Sequence, residues 1–451
     1  MQAPSPLSLH ATVSSATISS AVLLAAAPFA QTPQTAPPVE SPDGPQIWTV
    51  LSESDVLPVS GDTDTDPSCL AVLPDGDLIY VDTDPGTDTV FHWDAQTEVL
   101  SPVVAEAALG QLDPAGPTGV VAFESVVVDA AQNILLLIGD ASSPTYTTYV
   151  VRVPFTGVGN GYGGALPELY AQFAPTEGYV QQMTLDPVLS QLVFLRDTDT
   201  STGDTQLGPG ANGVYSVSLF LPPPLPLSIL SQVSTFTGLA AQLTPQPVLG
   251  TEDIGFQNLV VGQGFAYLAC SETSSGNSPN FDLNAGEGYE GDIVRVSLST
   301  GLATPFLDRA QFLADTNAAL GLNRGPGSPL GELNLLLDAD AQRLYVFEDL
   351  PHSAVPVGVT GGPAVAESIV AYDSLSGAFL GVVAHNASLR SHYAEEGSGE
   401  WPSQTNTTFT LANLPMALGP DGDIYVFFVN VDELCLRIRP FAGEQARPRK
   451  T

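Results

Sequence analysis

The chain has 451 residues, 43% of them hydrophobic, which is enough for an extensive core and excludes general disorder. Asp and Glu number 49 against 12 Lys and Arg, a formal charge of −37. Such a surface repels phosphate backbones and anionic headgroups, so nucleic acid and acidic membranes are expected to be poor partners and cations good ones. Abundant Gly (42) and Pro (39), with no collagen period, suit many short strands joined by many turns.

The N-terminus opens with an apolar run, Ile18 to Ala27, of the length of an export signal's central region, with Ala30 as a possible cleavage position. Residues 1–30 are therefore expected to be a signal peptide, although no Lys or Arg precedes the run and Pro28 occupies the −3 position. The expected location is secreted or periplasmic, with no membrane insertion, since the run is too short to span. Residues 31–45 read as a Pro-rich linker, 46–443 as one folded domain and 444–451 as a short basic tail that contains the only lysine, Lys450.

From residue 46 onward two units alternate. The first is an apolar strand, a tight Asp/Gly/Asn turn and a second apolar strand. It begins at Cys69, Ser125, Gln182, Asn258, Glu332 and Leu414, and its second strands centre on Tyr80, Leu136, Val193, Tyr267, Tyr345 and Tyr425. The turn centres tolerate positive φ and cap their own backbone, which is hairpin chemistry. The second unit is an alternating strand that begins at Val90, Val150, Val214, Ile293, Ile369 and Cys435, with a variable centre at His92, Arg152, Ser216, Arg295, Ala371 and Arg437. Gly157, Gly301, Gly377 and Gly443 end four of these runs, where a turn into a fourth strand is expected; stretches from Leu302 and Ala378 supply that strand.

Six strand-turn-strand pairs predict an all-β fold, a six-bladed β-propeller of four-stranded antiparallel blades. The last unit stops at its third strand, and the unpartnered stretch Gln46 to Leu51 is predicted to complete it as the outer strand. Two stacked β-sandwiches are the alternative. Pro74-Asp75-Gly76-Asp77-Leu78-Ile79-Tyr80-Val81 and Pro420-Asp421-Gly422-Asp423-Ile424-Tyr425-Val426 resemble the six-bladed propellers of the gluconolactonase (senescence marker protein) and NHL-repeat type. The resemblance is one of fold. For a metal-dependent lactonase it implies a Glu followed by Gly and Pro; Glu177-Gly178 is the nearest match, with Tyr179 in place of Pro.

Loops between second and third strands share one end of the ring with the links between blades, and nearly all sequence irregularity is expected there. Asp66, Glu124, Glu177, Asp253 and Glu332 precede innermost strands near the channel mouth, and converging carboxylates would suit Ca²⁺. No organic cofactor is expected. His385, His392, Glu395 and Trp401 share the connection from blade five to blade six and are candidate ligand-binding residues. Asp62 to Asp66 begins like a calcium loop, but Pro67 replaces the required Gly. Cys69, Cys270 and Cys435 have no metal or redox spacing and read as buried hydrophobes. No G-x-S-x-G, P-loop, dinucleotide or HExxH motif occurs.

The expected function is an extracellular propeller that binds a small molecule, glycan or protein through its loop-rich face, without catalysis. The alternative is a Ca-type metal-dependent hydrolase of a small ester or lactone that uses the channel-mouth carboxylates.

Overall fold

Apolar residues at every second position, interrupted by Asp-led turns, fold into 24 strands and four short helices among the described residues. In the computed structural model the described residues are 46–60, 67–83, 89–110, 112, 121–140, 147–173, 180–196, 213–219, 231–246, 255–271, 291–325, 330, 333–348, 368–385, 388, 415–427 and 433–441. The chain divides into two compact units, Met1–Pro37 and Pro38–Thr451, and every described residue belongs to the second. The boundaries expected at residues 30 and 443 fall on residues outside that description.

Strand β1 (Gln46–Ser52) and helix α1 (Glu53–Ser60) come first. Blade one is β2 (Pro67–Val72), β3 (Leu78–Asp82), β4 (Thr89–Asp94) and β5 (Val99–Ala105), followed by α2 (Glu106–Leu109). Blade two is β6 (Val121–Val128), β7 (Ile134–Asp140), β8 (Thr147–Val153) and β9 (Glu168–Phe173). Blade three is β10 (Val180–Asp186), β11 (Gln191–Arg196), β12 (Gly213–Ser218) and β13 (Ser231–Thr235), with α3 (Phe236–Ala240) after it. Blade four is β14 (Gly255–Gly262), β15 (Phe265–Ser271), β16 (Ile293–Ser297) and β17 (Ala303–Leu307), with α4 (Arg309–Leu320) leading on. Blade five is β18 (Leu333–Asp338), β19 (Arg343–Glu348), β20 (Ser368–Asp373) and β21 (Phe379–His385). Blade six is β22 (Met416–Leu418), β23 (Ile424–Phe427) and β24 (Glu433–Arg439), with β1 as its fourth strand.

All six sheets are four-stranded and antiparallel, and their innermost strands touch in a closed cycle, β2 to β6, β10, β14, β18, β22 and back to β2. This is a six-bladed β-propeller. The predicted closure holds: Ile47 pairs with Ile438, Trp48 with Arg437 and Thr49 with Leu436. Six apolar clusters fill the six spaces between neighbouring blades. Each blade has apolar side chains on both faces, as alternation about a doubly covered sheet requires. The three cysteines are buried and free, as expected.

The hairpin turns follow from Asp. In blade one Gly76 takes φ +96°, its N–H donates to Leu73 O at 2.9 Å, and the N–H of Asp77 donates to Asp75. Blade six repeats this with Gly422 at φ +85°. In blade two Gln132 takes φ +63°, a conformation that side chains disfavour, and the Asp129 carboxylate holds the turn by accepting from the N–H groups of Ala131 and Asn133 at 2.8 and 2.9 Å. A share of the chain's acidity is thus consumed by its own turns.

Bulges interrupt the innermost strands of blades one to four, between Pro67 and Cys69, Phe123 and Ser125, Val180 and Gln182, and Gln257 and Val260. Side chains beside these bulges bond the next blade's backbone. Cys69 Sγ donates to Phe123 O at 3.7 Å, and Ser125 Oγ accepts from Met183 N at 3.1 Å. Gln182 Oε1 accepts from Leu259 N at 2.5 Å, and Asn258 Nδ2 donates to Leu333 O at 2.8 Å. This belt ties five successive blades where innermost strands would otherwise leave edge groups unpaired.

The stretch from Leu302 supplies the outer strand as expected, β17, which ends at Leu307, where Asp308 caps α4 by accepting from Gln311 N at 2.8 Å. One expectation needs correction. Irregularity is not confined to one end, because β8 and β9 on the opposite end are joined by a long glycine-rich excursion, Pro154 to Pro167. It is pinned by Tyr162 Oη donating to Gln132 O at 2.8 Å and Asn160 Nδ2 donating to Ser101 Oγ at 3.0 Å. Among the described residues no helix is long and apolar enough to cross a membrane.

The closure yields a test. Trp48 lies over the guanidinium groups of Arg437 and Arg439, 5.3 and 5.2 Å from the ring centroid, and Leu51 is buried in the space between blades six and one. Trp48→Ala is expected to cost about 0.5–2 kcal/mol and Leu51→Ala about 2–5 kcal/mol in denaturant unfolding. Unchanged midpoints for both would contradict the pairing.

Candidate functional site

The connections from second to third strands and from blade to blade converge on one end of the ring, and several buried polar side chains gather at the strand ends there. Blade five holds the densest group. Glu348, the last residue of β19, is fully buried and forms an ion pair through Oε1 with Arg324 Nη1. Arg324 reaches it from the segment after α4, and its Nη2 donates to Thr316 Oγ1 at 2.6 Å. Asn317 accepts from the Arg324 N–H at 3.2 Å and donates to its carbonyl at 2.8 Å, so the arginine is held on both sides. Burial pushes the Glu348 carboxyl up, and the Arg324 guanidinium opposes that shift. The second oxygen, Oε2, has no hydrogen-bond partner among the described residues, and neither has the hydroxyl of fully buried Ser368, its register partner on β20.

Asp292, just before β16, fastens the same end of blade four. Its carboxylate accepts from Thr244 N at 2.7 Å and Arg309 N at 2.8 Å, which ties the segment after α3 to the start of α4. Burial nevertheless dominates and pushes its pKa up to about 6.

Blades two and three present a different arrangement. Arg196, the last residue of β11, is 8% exposed and Thr148, in β8, is 1% exposed. Arg196 lies 4.9 Å from the Tyr215 ring centroid, and neither its Nε nor the Thr148 hydroxyl has a hydrogen-bond partner among the described residues. Sequence reading missed Arg196, Thr148, Arg324 and Glu348. The available signal was a lone charged or hydroxylated residue at the end of an apolar run, which is common wherever a strand meets a loop.

Of the expected calcium set only Glu124 is described. It lies within β6, at the bulge between Phe123 and Ser125, and does not precede the strand as expected, because the strand starts at Val121. Asp66, Glu177, Asp253 and Glu332 lie outside the described residues, as does the run Asp62 to Asp66. Among the described residues no three His, Cys, Asp or Glu side chains are grouped to hold a metal ion. Of the other set, His392, Glu395 and Trp401 lie outside the described residues. His385 ends β21, and its Nδ1 accepts from Ser388 N at 3.2 Å while Ser388 Oγ donates to His385 O at 2.7 Å. That bond places the ring proton of the neutral imidazole on Nε2.

A cavity of about 320 Å³ lies elsewhere, on the outer rim between blades three and four, lined by β13, α3 and the turn into β17. The turn needs Gly301, since a Cβ there would stand 2.1 Å from Val233 O.

No protein-family model matches the chain, and no curated protein matches it. Solved structures that are similar include the soluble aldose sugar dehydrogenase of Escherichia coli in its apo form, at 12% identity over 88% of this chain and 99% of that one, with a TM-score of 0.44. A putative gluconolactonase is 12% identical over 88% of this chain and 93% of that one, with a TM-score of 0.41. A structure from a study of two prolyl endopeptidases is 10% identical over 85% of this chain, with a TM-score of 0.41, and this chain spans 42% of its length. Similarity at this level is one of fold, and the ring itself is established by the strand pairing above.

Asp292 generates a pH prediction. Its folded pKa, about 6, exceeds its ordinary value of 3.8, so the folded state binds a proton more tightly than the unfolded chain. The favourable contribution is complete below pH 3.8 and is lost as pH rises through about 6. The difference is on the order of 3 kcal/mol. Unfolding free energies between pH 4 and 7 are expected to carry this falling component, and Asp292→Asn to remove it; an unchanged slope in the variant would contradict the burial argument.

Proposed function

We propose that this is a non-enzymatic binding protein that works outside the cytoplasm and takes its ligand at the loop-bearing end of the ring. The observation that carries the reading is the placement of buried polar side chains that make no hydrogen bond among the described residues. Thr148, Arg196 and Ser368 are all at that end, whereas Tyr80 sits in mid-strand within a blade interface. A buried polar group without a partner is unfavourable unless something else satisfies it. At the opposite end the buried carboxylates serve their own turns, as Asp338 does for Ala341 N and Asp421 for Asp423 N. Long connections on a rigid scaffold, such as 272–290 and 386–414, supply the variable part of such a site. The apolar run Ile18 to Ala27 supports export.

The hydrolase alternative depends on Glu177, Asp253 and Glu332, which lie outside the described residues, and no observation favours it.

Carbohydrate and small-molecule arrays probed with the full chain, then with variants in which 272–290 or 386–414 is replaced by a short Gly-Ser turn, test the reading. The variants are expected to melt as the parent does and to lose the bound class. Undiminished binding by both would move the site away from this end.

A further inference from the structure

The sheet register brings Arg196 and Thr148 to one place. In blade three Leu192 and Phe194 of β11 face blade two, while Val193 and Leu195 face blade four. Arg196 continues the first series, which is why its guanidinium lies over Tyr215, another residue of the space between blades two and three. In blade two Leu135, Leu137 and Val150 face blade three. Thr148 is two residues from Val150 on β8, so it has the same facing, and its register partner is Gly139, which has no side chain. Both residues stand three positions beyond the repeat-equivalent centres Leu136 and Val193, at the same level of the ring. Beside them, Gln181 occupies the bulge after Val180, the register partner of Arg196, and its Oε1 is buried without a partner among the described residues.

Arg196 and Thr148 therefore face one blade interface at its loop-bearing end, with Gln181 at the adjoining bulge, and Arg196 Nε, Thr148 Oγ1 and Gln181 Oε1 are each buried without a hydrogen-bond partner among the described residues. The contrast with Arg324 is direct, because that buried guanidinium is matched by Glu348, Thr316 and Asn317. Among 49 acids, Arg196 has no carboxylate partner in the described residues. A buried guanidinium without an anion is an incomplete ion pair.

We infer that the ends of blades two and three form a subsite for a small hydroxycarboxylate, resting on the ligand-binding reading above. The guanidinium fork of Arg196 takes the carboxylate in two parallel hydrogen bonds, the Thr148 hydroxyl donates to it, and the Gln181 carbonyl accepts from the ligand hydroxyl. The protein's charge of −37 selects a monoanion over a dianion such as phosphate, because repulsion by the whole field scales with ligand charge.

Calorimetric titration of the full chain tests the assignment with four probes: lactate, lactamide without the charge, propionate without the hydroxyl, and inorganic phosphate. Lactate is expected to bind with one-to-one stoichiometry, and the other three more weakly, lactamide by about tenfold or more. Arg196→Gln is expected to abolish lactate binding. Arg196→Lys, which keeps the charge and guards against misfolding, is expected to weaken it about tenfold through loss of the fork, and Thr148→Val to weaken it less. Absence of lactate binding, equal binding of lactate and lactamide, or parental affinity in folded Arg196→Gln would overturn the subsite. Loss of array binding in the loop-shortened variants together with parental lactate behaviour in Arg196→Gln would remove this subsite alone and leave the binding end in place.

Discussion

Each blade of this protein is a sheet with two apolar faces, and neither face can be covered except by another blade. Strand β3 shows the constraint plainly, since all five of its residues are buried. Its alternate side chains divide between two cores, Ile79 and Val81 toward blade two, Leu78 and Tyr80 toward blade six. Burying a large apolar side chain contributes about 1.5–3 kcal/mol, so an open ring would forfeit one whole interface. Pairing of β1 with β24 prevents that, because it joins a strand from the start of the domain to a blade at its end. Closure is therefore the condition on which the other five interfaces depend.

A closed ring leaves two kinds of exposed backbone, the inner edges of the innermost strands and the two ends. The inner edges are managed by the belt that runs from Cys69 through Ser125, Gln182 and Asn258, and the bulges position those side chains. The ends differ in how polar groups are used. The turn carboxylate of Asp129 accepts from its own turn N–H groups and from the Asn133 side chain and is spent locally. At the other end the Arg324 guanidinium is matched by Glu348 and Thr316, whereas Arg196 and Thr148 stay unmatched among the described residues. That asymmetry, and not the fold, is what the proposed binding end rests on.

The ring was legible in the sequence because its determinants are periodic. Alternation around Tyr80 and Tyr425, Asp-Gly turns at Gly76 and Gly422, and an orphan strand at Gln46 to Leu51 each follow from local rules that repeat six times. Helix α4 escaped because its apolar positions are sparse, although Asp308 and Gly321 mark its two ends in the way caps usually do. The buried polar residues were illegible for a different reason. Whether Arg196 ends in solvent or beneath a neighbouring blade depends on strand parity relative to that blade, and a one-residue slip would reverse it. Of the acidic set only the position of Glu124 can be compared, and it sits inside its strand because the first apolar residues of β6 were not counted as strand; Asp and Glu before a strand are equally the residues of turns.

Native-state hydrogen exchange resolved by peptide tests the central claim, closure of a six-bladed ring by β1. If β1 closes the ring, amides of 46–52 exchange only with the global opening that releases 433–439, and both segments share one opening free energy. Rapid exchange of 46–52 while 433–439 stays protected would show that the ring holds without that strand and would contradict the account.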